Sequence, residues 1–194
     1  MALLEVLKWP DPRLLEVAED VPAVTSEVRQ FVDDLVSTMY ESRGVGLAST
    51  QVGVPWRVVA VDCKPRDEDA TLRVLINARI VASEGTLLWR EACLSLPGIS
   101  AEIERAARIE VAYLDRDGVA CTLVVEDLEA VCIQHELDHL DGKLYVDRLG
   151  ELERKLALND YDDIRFGRVV PETEAPAEEE EAAVEVELVV ELAE

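Results

Sequence analysis

The segment that most constrains this chain is Gln134-His135-Glu136-Leu137-Asp138-His139, an H-E-x-x-H pattern built from the only two histidines in 194 residues. Its surroundings read as a helix over Leu128–Leu140, with Asp127 as a cap at its start and Gly142 just past its end. Side chains four apart project from one helix face, so both imidazoles can reach a single metal ion. Leu128, Val131, Cys132, His135 and His139 fall on one helical stripe. The histidines therefore point where the apolar side chains point, into the protein. Two buried histidines satisfied by hydrogen bonds would be interior as well. That simpler reading does not account for the spacing of four or for the glutamate after the first histidine.

Two histidines leave a metal short of a third protein ligand. No downstream histidine exists, although the acids Asp147, Glu151 and Glu153 do. Cysteine is the other candidate, because thiolate suits Zn(II) and Fe(II). The chain has Cys63, Cys93, Cys121 and Cys132, none in a C-x-x-C pair, so a finger- or ribbon-type structural zinc site is not expected. Three protein ligands with one open position form the catalytic arrangement rather than the structural one.

Three segments carry a resemblance that bears on this choice. They are Gly44-Val45-Gly46-Leu47-Ala48-Ser49-Thr50-Gln51, Glu91-Ala92-Cys93-Leu94-Ser95 and Gln134-His135-Glu136-Leu137-Asp138-His139-Leu140. In order and in spacing they resemble the three motifs of bacterial peptide deformylases, and the likeness runs from about Leu3 to Arg148. The resemblance implies that Cys93, His135 and His139 bind one divalent metal, Fe(II) or Zn(II), with Ni or Co able to substitute. It implies that Glu136 takes a proton from the attacking water and passes it to the leaving amine. It implies that the Gln51 side chain and the Leu94 backbone N–H stabilise the oxyanion. The implied substrate is the N-formyl group on the first methionine of newly made polypeptides, and the implied products are formate and a free N-terminus. Val45, Trp89, Leu128, Val131 and Cys132 would line the apolar slot for the methionine, and Gly46 would also bind substrate. Glu91 and Asp138 would orient the ligands or the loop, unless they are ordinary salt bridges.

The remaining elements are mixed. Residues 26–41 read as a helix striped by Val28, Val32, Leu35, Val36 and Met39. Strands are expected in Trp56–Asp62, within Arg73–Ala82, as one long or two short runs over 99–115, and at Val119–Val125 after the Asp115–Gly118 turn. Cys63 and Cys121 read as buried thiols in strands. A second short helix is expected over Gly150–Leu158. Helices and strands do not alternate regularly, so the class is α+β, with antiparallel sheets packed around the metal-binding helix.

The expected organisation is a catalytic domain over 1–168 and an acidic tail over 169–194. The tail has ten Glu and no basic residue from Pro171 onward; residues 171–183 have a composition that does not fold alone, whereas 184–192 alternate like a strand. A formal net charge of −23 argues against DNA or RNA as a partner. No basic ribosome-docking helix is seen, although transient proximity to the ribosome is compatible with the substrate. No apolar run reaches membrane-spanning length and the N-terminus does not look like a secretion signal, so a cytoplasmic protein is expected. The sequence departs from the family pattern at Ala92 and Asp127, where the family has Gly, and at Glu129, where it has an apolar residue. These departures motivate an alternative, a relative that binds metal and formylated peptides with little or no turnover. A zincin-like protease is a further rival, weakened by the missing downstream histidine.

Overall fold

The computed structural model describes residues 2–64 and 71–168. The acidic segment 169–194 lies outside the described residues. The elements in chain order are α1 (Ser26–Glu41), β1 (Gly46–Ala48), β2 (Val58–Val61), β3 (Arg73–Glu84), β4 (Leu87–Cys93), β5 (Leu96–Arg105), β6 (Arg108–Leu114), β7 (Ala120–Glu126), α2 (Asp127–Leu140) and α3 (Glu151–Arg165). Short 3₁₀ turns at Pro12–Leu15, Ser49–Val52 and Tyr145–Arg148 join them.

Five strands form an antiparallel sheet in the order β1-β2-β3-β6-β7, and β4 pairs with β5 in a separate two-stranded sheet. The class is the expected α+β. Val58, Val59, Ala60 and Val61 of β2 are all buried because both faces of that strand are covered. Val58 and Ala60 pack with Val28, Val32, Leu35 and Met39 of α1. Val59 and Val61 pack with Ala130, Ile133, Leu137 and Leu140 of α2. This alternation is the period-two pleat expressed as two cores.

Helix α2 is covered on its other side too. Cys93, Leu96 and Ile103 of the small sheet, with Leu144, Tyr145, Val146 and Tyr161, form a third core. Every residue from Ala130 to Leu140 is therefore buried. The single stripe read from the sequence describes only part of this helix, because its polar residues are interior as well.

Several local expectations need correction. The cap of α2 is Glu126, while Asp127 is the first helical residue and takes φ +52°. Helix α3 runs to Arg165, well past Leu158. Strand β4 was not anticipated. Cys63 lies just after β2 and Cys121 in β7, and both are half-buried rather than buried. Gly142 does end α2, at φ +69°, where a Cβ would fall 2.5 Å from the Leu15 carbonyl oxygen.

The N-terminal segment wraps the molecule. Leu7 N–H donates to the Gln51 carbonyl (2.8 Å), Trp9 N–H to Ser95 (2.9 Å) and Ala18 N–H to Leu140 (2.8 Å).

Candidate metal centre and active site

Two elements bring the centre together. Helix α2 supplies His135 and His139 one turn apart, and the end of β4 supplies Cys93, where a register irregularity follows Ala92. One ligand atom from each of the three lies within 4.8 Å of the others, and all three residues are buried. Cys93 Sγ is 3.2 Å from His139 Nε2. Among the described residues this is the one His/Cys/Asp/Glu group close enough to hold a metal ion. The downstream acids Asp147, Glu151 and Glu153 are not part of this group, and Glu151 is exposed. Asp147 pairs with Arg154 at 2.7 Å, and Glu153 accepts from Gly150 N–H at 3.3 Å.

The electrostatics suit a cation. Burial pushes the Cys93 thiol up, but His139 and His135 beside it outweigh that and hold it well below the ordinary thiol range. Glu91 Oε2 sits 2.6 Å from His135 Nδ1, which fixes that nitrogen as the protonated one and leaves Nε2 as a lone-pair donor. A thiolate sulfur and two imidazole nitrogens converging in a buried site form a donor set for Zn(II) or Fe(II).

Glu91 is itself held. Arg105, with no exposed side-chain surface, donates to Glu91 Oε1 at 2.6 Å and to Oε2 at 2.9 Å. Its third contact runs to Asp138 Oδ2 at 2.5 Å, and Arg148 grips both oxygens of Asp138 at 2.5 Å. Burial raises both carboxyls, yet the guanidiniums and, for Glu91, His135 bring them below their ordinary range. Glu91 thus touches a ligand directly, while Asp138 connects to His135 only through Arg105 and Glu91. The Tyr145 ring stacks on His135 with centroids 6.0 Å apart. Arg105, Arg148 and Tyr145 were not anticipated. The sequence does offer one signal, since Arg105 shares the inward parity of buried Ile103 on β5.

Glu136 follows His135 on α2 and lines the site's cavity. Its Oε2 is buried with no hydrogen-bond partner, and burial raises its pKa to about 7. Gln51 is aimed by its own backbone turn. Its Oε1 accepts from Ala48 N–H at 2.9 Å, which turns Nε2 toward Cys93 Sγ (3.5 Å) and Ser95 Oγ (3.1 Å). Leu94 and Ser95 form the turn from β4 to β5, with Ser95 N–H 3.4 Å from Cys93 Sγ. The Leu94 carbonyl accepts from Lys8 Nζ.

A cavity of about 480 Å³ opens onto this centre. Val45, Gly46, Trp89, Leu128, Val131 and Cys132 all line it, together with Gln51, Leu94, His135 and Glu136. Its wall is mainly apolar. Of the three departures from the family pattern, Ala92 lines the cavity without adopting a positive φ. Glu129 does not face the cavity and pairs with Arg73 at 2.9 Å. Asp127 carries the strained backbone that a glycine would relieve.

Comparison with known proteins agrees with this geometry. The polypeptide deformylase family model matches residues 3–155. A peptide deformylase of Alkalilimnicola ehrlichii is 50% identical over 155 residues, covering 80% of this chain and 86% of the relative. One from Maricaulis maris is 45% identical over 159 residues, covering 81% and 91%. A crystal structure of a peptide deformylase from Legionella pneumophila superposes with a TM-score of 0.80 at 35% identity, covering 90% of this chain and all of that one. Another, from Synechococcus elongatus in complex with actinonin, gives 0.78 at 38% identity, covering 82% and 88%. With the match spanning most of its length and its buried Cys/His/His group standing beside a glutamate, the chain belongs to the polypeptide deformylase family.

Proposed function

We propose that this chain is a metal-dependent peptide deformylase that removes the formyl group from the N-terminal methionine of newly made polypeptides, releasing formate. The observation that carries this reading is the buried Cys93, His135 and His139 group with Glu136 Oε2 free of any partner beside it. Cys93 Sγ, His135 Nε2 and His139 Nε2 would hold one divalent ion, Fe(II) or Zn(II), with Ni or Co as substitutes. Such an ion supplies a Lewis acid and lowers the pKa of bound water toward about 7.

The chain's own groups do the rest. Glu136, with a pKa near neutrality, accepts the proton of the attacking water at its carboxylate and returns it to the departing amine nitrogen. Gln51 Nε2 and the Leu94 N–H donate to the formyl oxygen as it becomes negative, each donor worth about 3 kcal/mol in sites of this type. The Gln51 amide needs no reorientation, because Ala48 already holds its Oε1. The methionine side chain fills the apolar wall formed by Val45, Gly46, Trp89, Leu128, Val131 and Cys132. Glu91 orients His135, and Asp138 steadies Arg105 behind it.

The catalytic unit is the segment 1–168, and residues 169–194 are an acidic appendage. Helix α3 carries five acids against three basic residues, so it offers no cationic surface for ribosomal RNA. No described helix is long and apolar enough to cross a membrane. The site of action is the cytoplasm, where formylated chains emerge. The deciding experiment is formate release from formyl-Met-Ala-Ser by anaerobically purified, metal-loaded protein beside Glu136→Ala. Turnover lost in the variant with metal retained supports the assignment. Absence of turnover with Fe, Ni, Co or Zn bound overturns it.

A further inference from the structure

Fourteen arginines are described, and twelve of them have a carboxylate, carbonyl or ring partner. The two without one are Arg43 and Arg90, and both line the cavity. They reach it from different elements. Arg43 sits in the loop between α1 and β1, and Arg90 is on β4. Both are exposed. Glu102 stands opposite Arg90 in the β4–β5 ladder, yet no ion pair joins them. The carboxylates on the cavity wall are Glu91, taken up by Arg105 and His135, and buried Glu136. Neither is available to an exposed guanidinium.

Two free guanidiniums beside one cavity are unexpected in a chain of net charge −23. Arg43 also holds φ +56°, a conformation that disfavours side chains other than Gly, Asn or Asp. Strained backbone of this kind concentrates at ligand-contacting positions.

We propose that Arg43 and Arg90 form a cationic rim that selects formyl-methionyl peptides carrying Asp or Glu at the second or third position. The inference rests on the deformylase reading of the same cavity. The methionine occupies the apolar wall, so the following residues leave along the cavity's exposed border, where the two arginines stand. Guanidinium forks match carboxylates in geometry as well as charge. Each exposed pair contributes modestly, and two together give a preference of about tenfold for acidic over basic peptides at low salt.

The test compares formyl-Met-Asp-Glu with formyl-Met-Lys-Lys on the metal-loaded full chain. Both kcat/KM from formate release and Kd from calorimetry on Glu136→Gln are measured, at low and high salt. The expected result is about a tenfold preference for the acidic peptide, residing in KM and Kd, shrinking with salt and inverting in Arg43→Glu/Arg90→Glu. Thermal unfolding checks that the double variant is folded. Equal affinity for the two peptides, or a preference unmoved by the double substitution, overturns the rim. Absence of formate release from either peptide overturns the hydrolase reading instead, and the calorimetric comparison then still decides the rim.

Discussion

A side chain on Gly46 would collide with Glu136, since a Cβ built there falls 2.9 Å from the Glu136 Cδ and nearer still to Oε1. The glycine of the first motif is thus a space kept open for the carboxylate. Gly46→Ala is expected to push Glu136 from its place while leaving the three ligands untouched. A correctly placed general base contributes about 10²–10⁴-fold, so kcat falls by about two orders of magnitude with metal content unchanged. Metal analysis beside formate assays checks this, and near-normal turnover would sink it.

Arg105 is buried between two carboxylates, and removing it strands them. Arg105→Met is expected to lower unfolding free energy by about 3–5 kcal/mol, the usual cost of leaving buried charges unpaired. Denaturant titration reads it directly. A loss below about 1 kcal/mol would mean that Arg148 and His135 compensate.

The same network sets an acid limit. Glu91 and Asp138 are held below their ordinary range, so their contribution is complete above the unfolded values near pH 4 and is lost as pH falls through the lower folded values. Stability of the parent chain is therefore expected to drop below about pH 4. In Arg105→Met, burial governs both carboxyls and raises them, so the variant's deficit relative to the parent narrows as pH falls. Unfolding curves from pH 7 downward distinguish the two, and coincident profiles would refute the assignment.

Asp127 takes φ +52° at the first position of α2. Glycine adopts this region without a Cβ penalty. Asp127→Gly gives up a favourable charge at the helix N-terminus, worth about 0.3–1 kcal/mol, and still nets about 0.5–1 kcal/mol of stability. The thermal midpoint is expected to rise by about 1–4 °C. A lowered midpoint would show that the carboxylate matters more than the backbone.

Metal removal is expected to lower the same midpoint, because the Cys93, His135 and His139 group exists only in the folded chain. At a free ion concentration of 100 Kd the stabilisation is about 2.7 kcal/mol, or roughly 5–10 °C. Calorimetry with and without chelator, followed by ion replacement, checks it. Cys93→Ser, which weakens the donor set, should respond less.

The centre was legible in the sequence because helical spacing alone brings His135 and His139 together, and motif likeness adds Cys93 and Gln51. The sheet was legible where burial is strong, as in β2. Arg105 was not, because its role depends on Glu91 and Asp138 arriving from β4 and α2, and no local pattern encodes that meeting. Strand β4 is not marked in the sequence, since Leu88, Trp89 and Arg90 are exposed and lack the alternation of a half-buried strand. Asp127 reads as a cap in the sequence because Asp is a good cap in general, whereas here the turn from β7 requires a left-handed residue.

The wrapping N-terminal segment bears on how the chain acquires its activity during synthesis. Its carbonyl at Trp9 accepts from Tyr161 Oη at 3.1 Å, across 152 positions of sequence. Its amides close onto Gln51, Ser95 and Leu140, residues from every part of the centre. This segment can therefore complete its bonds only after the chain has been made as far as Tyr161. Long loop closures of this sort slow folding, so the contacts that frame the centre are expected to be among the last to form.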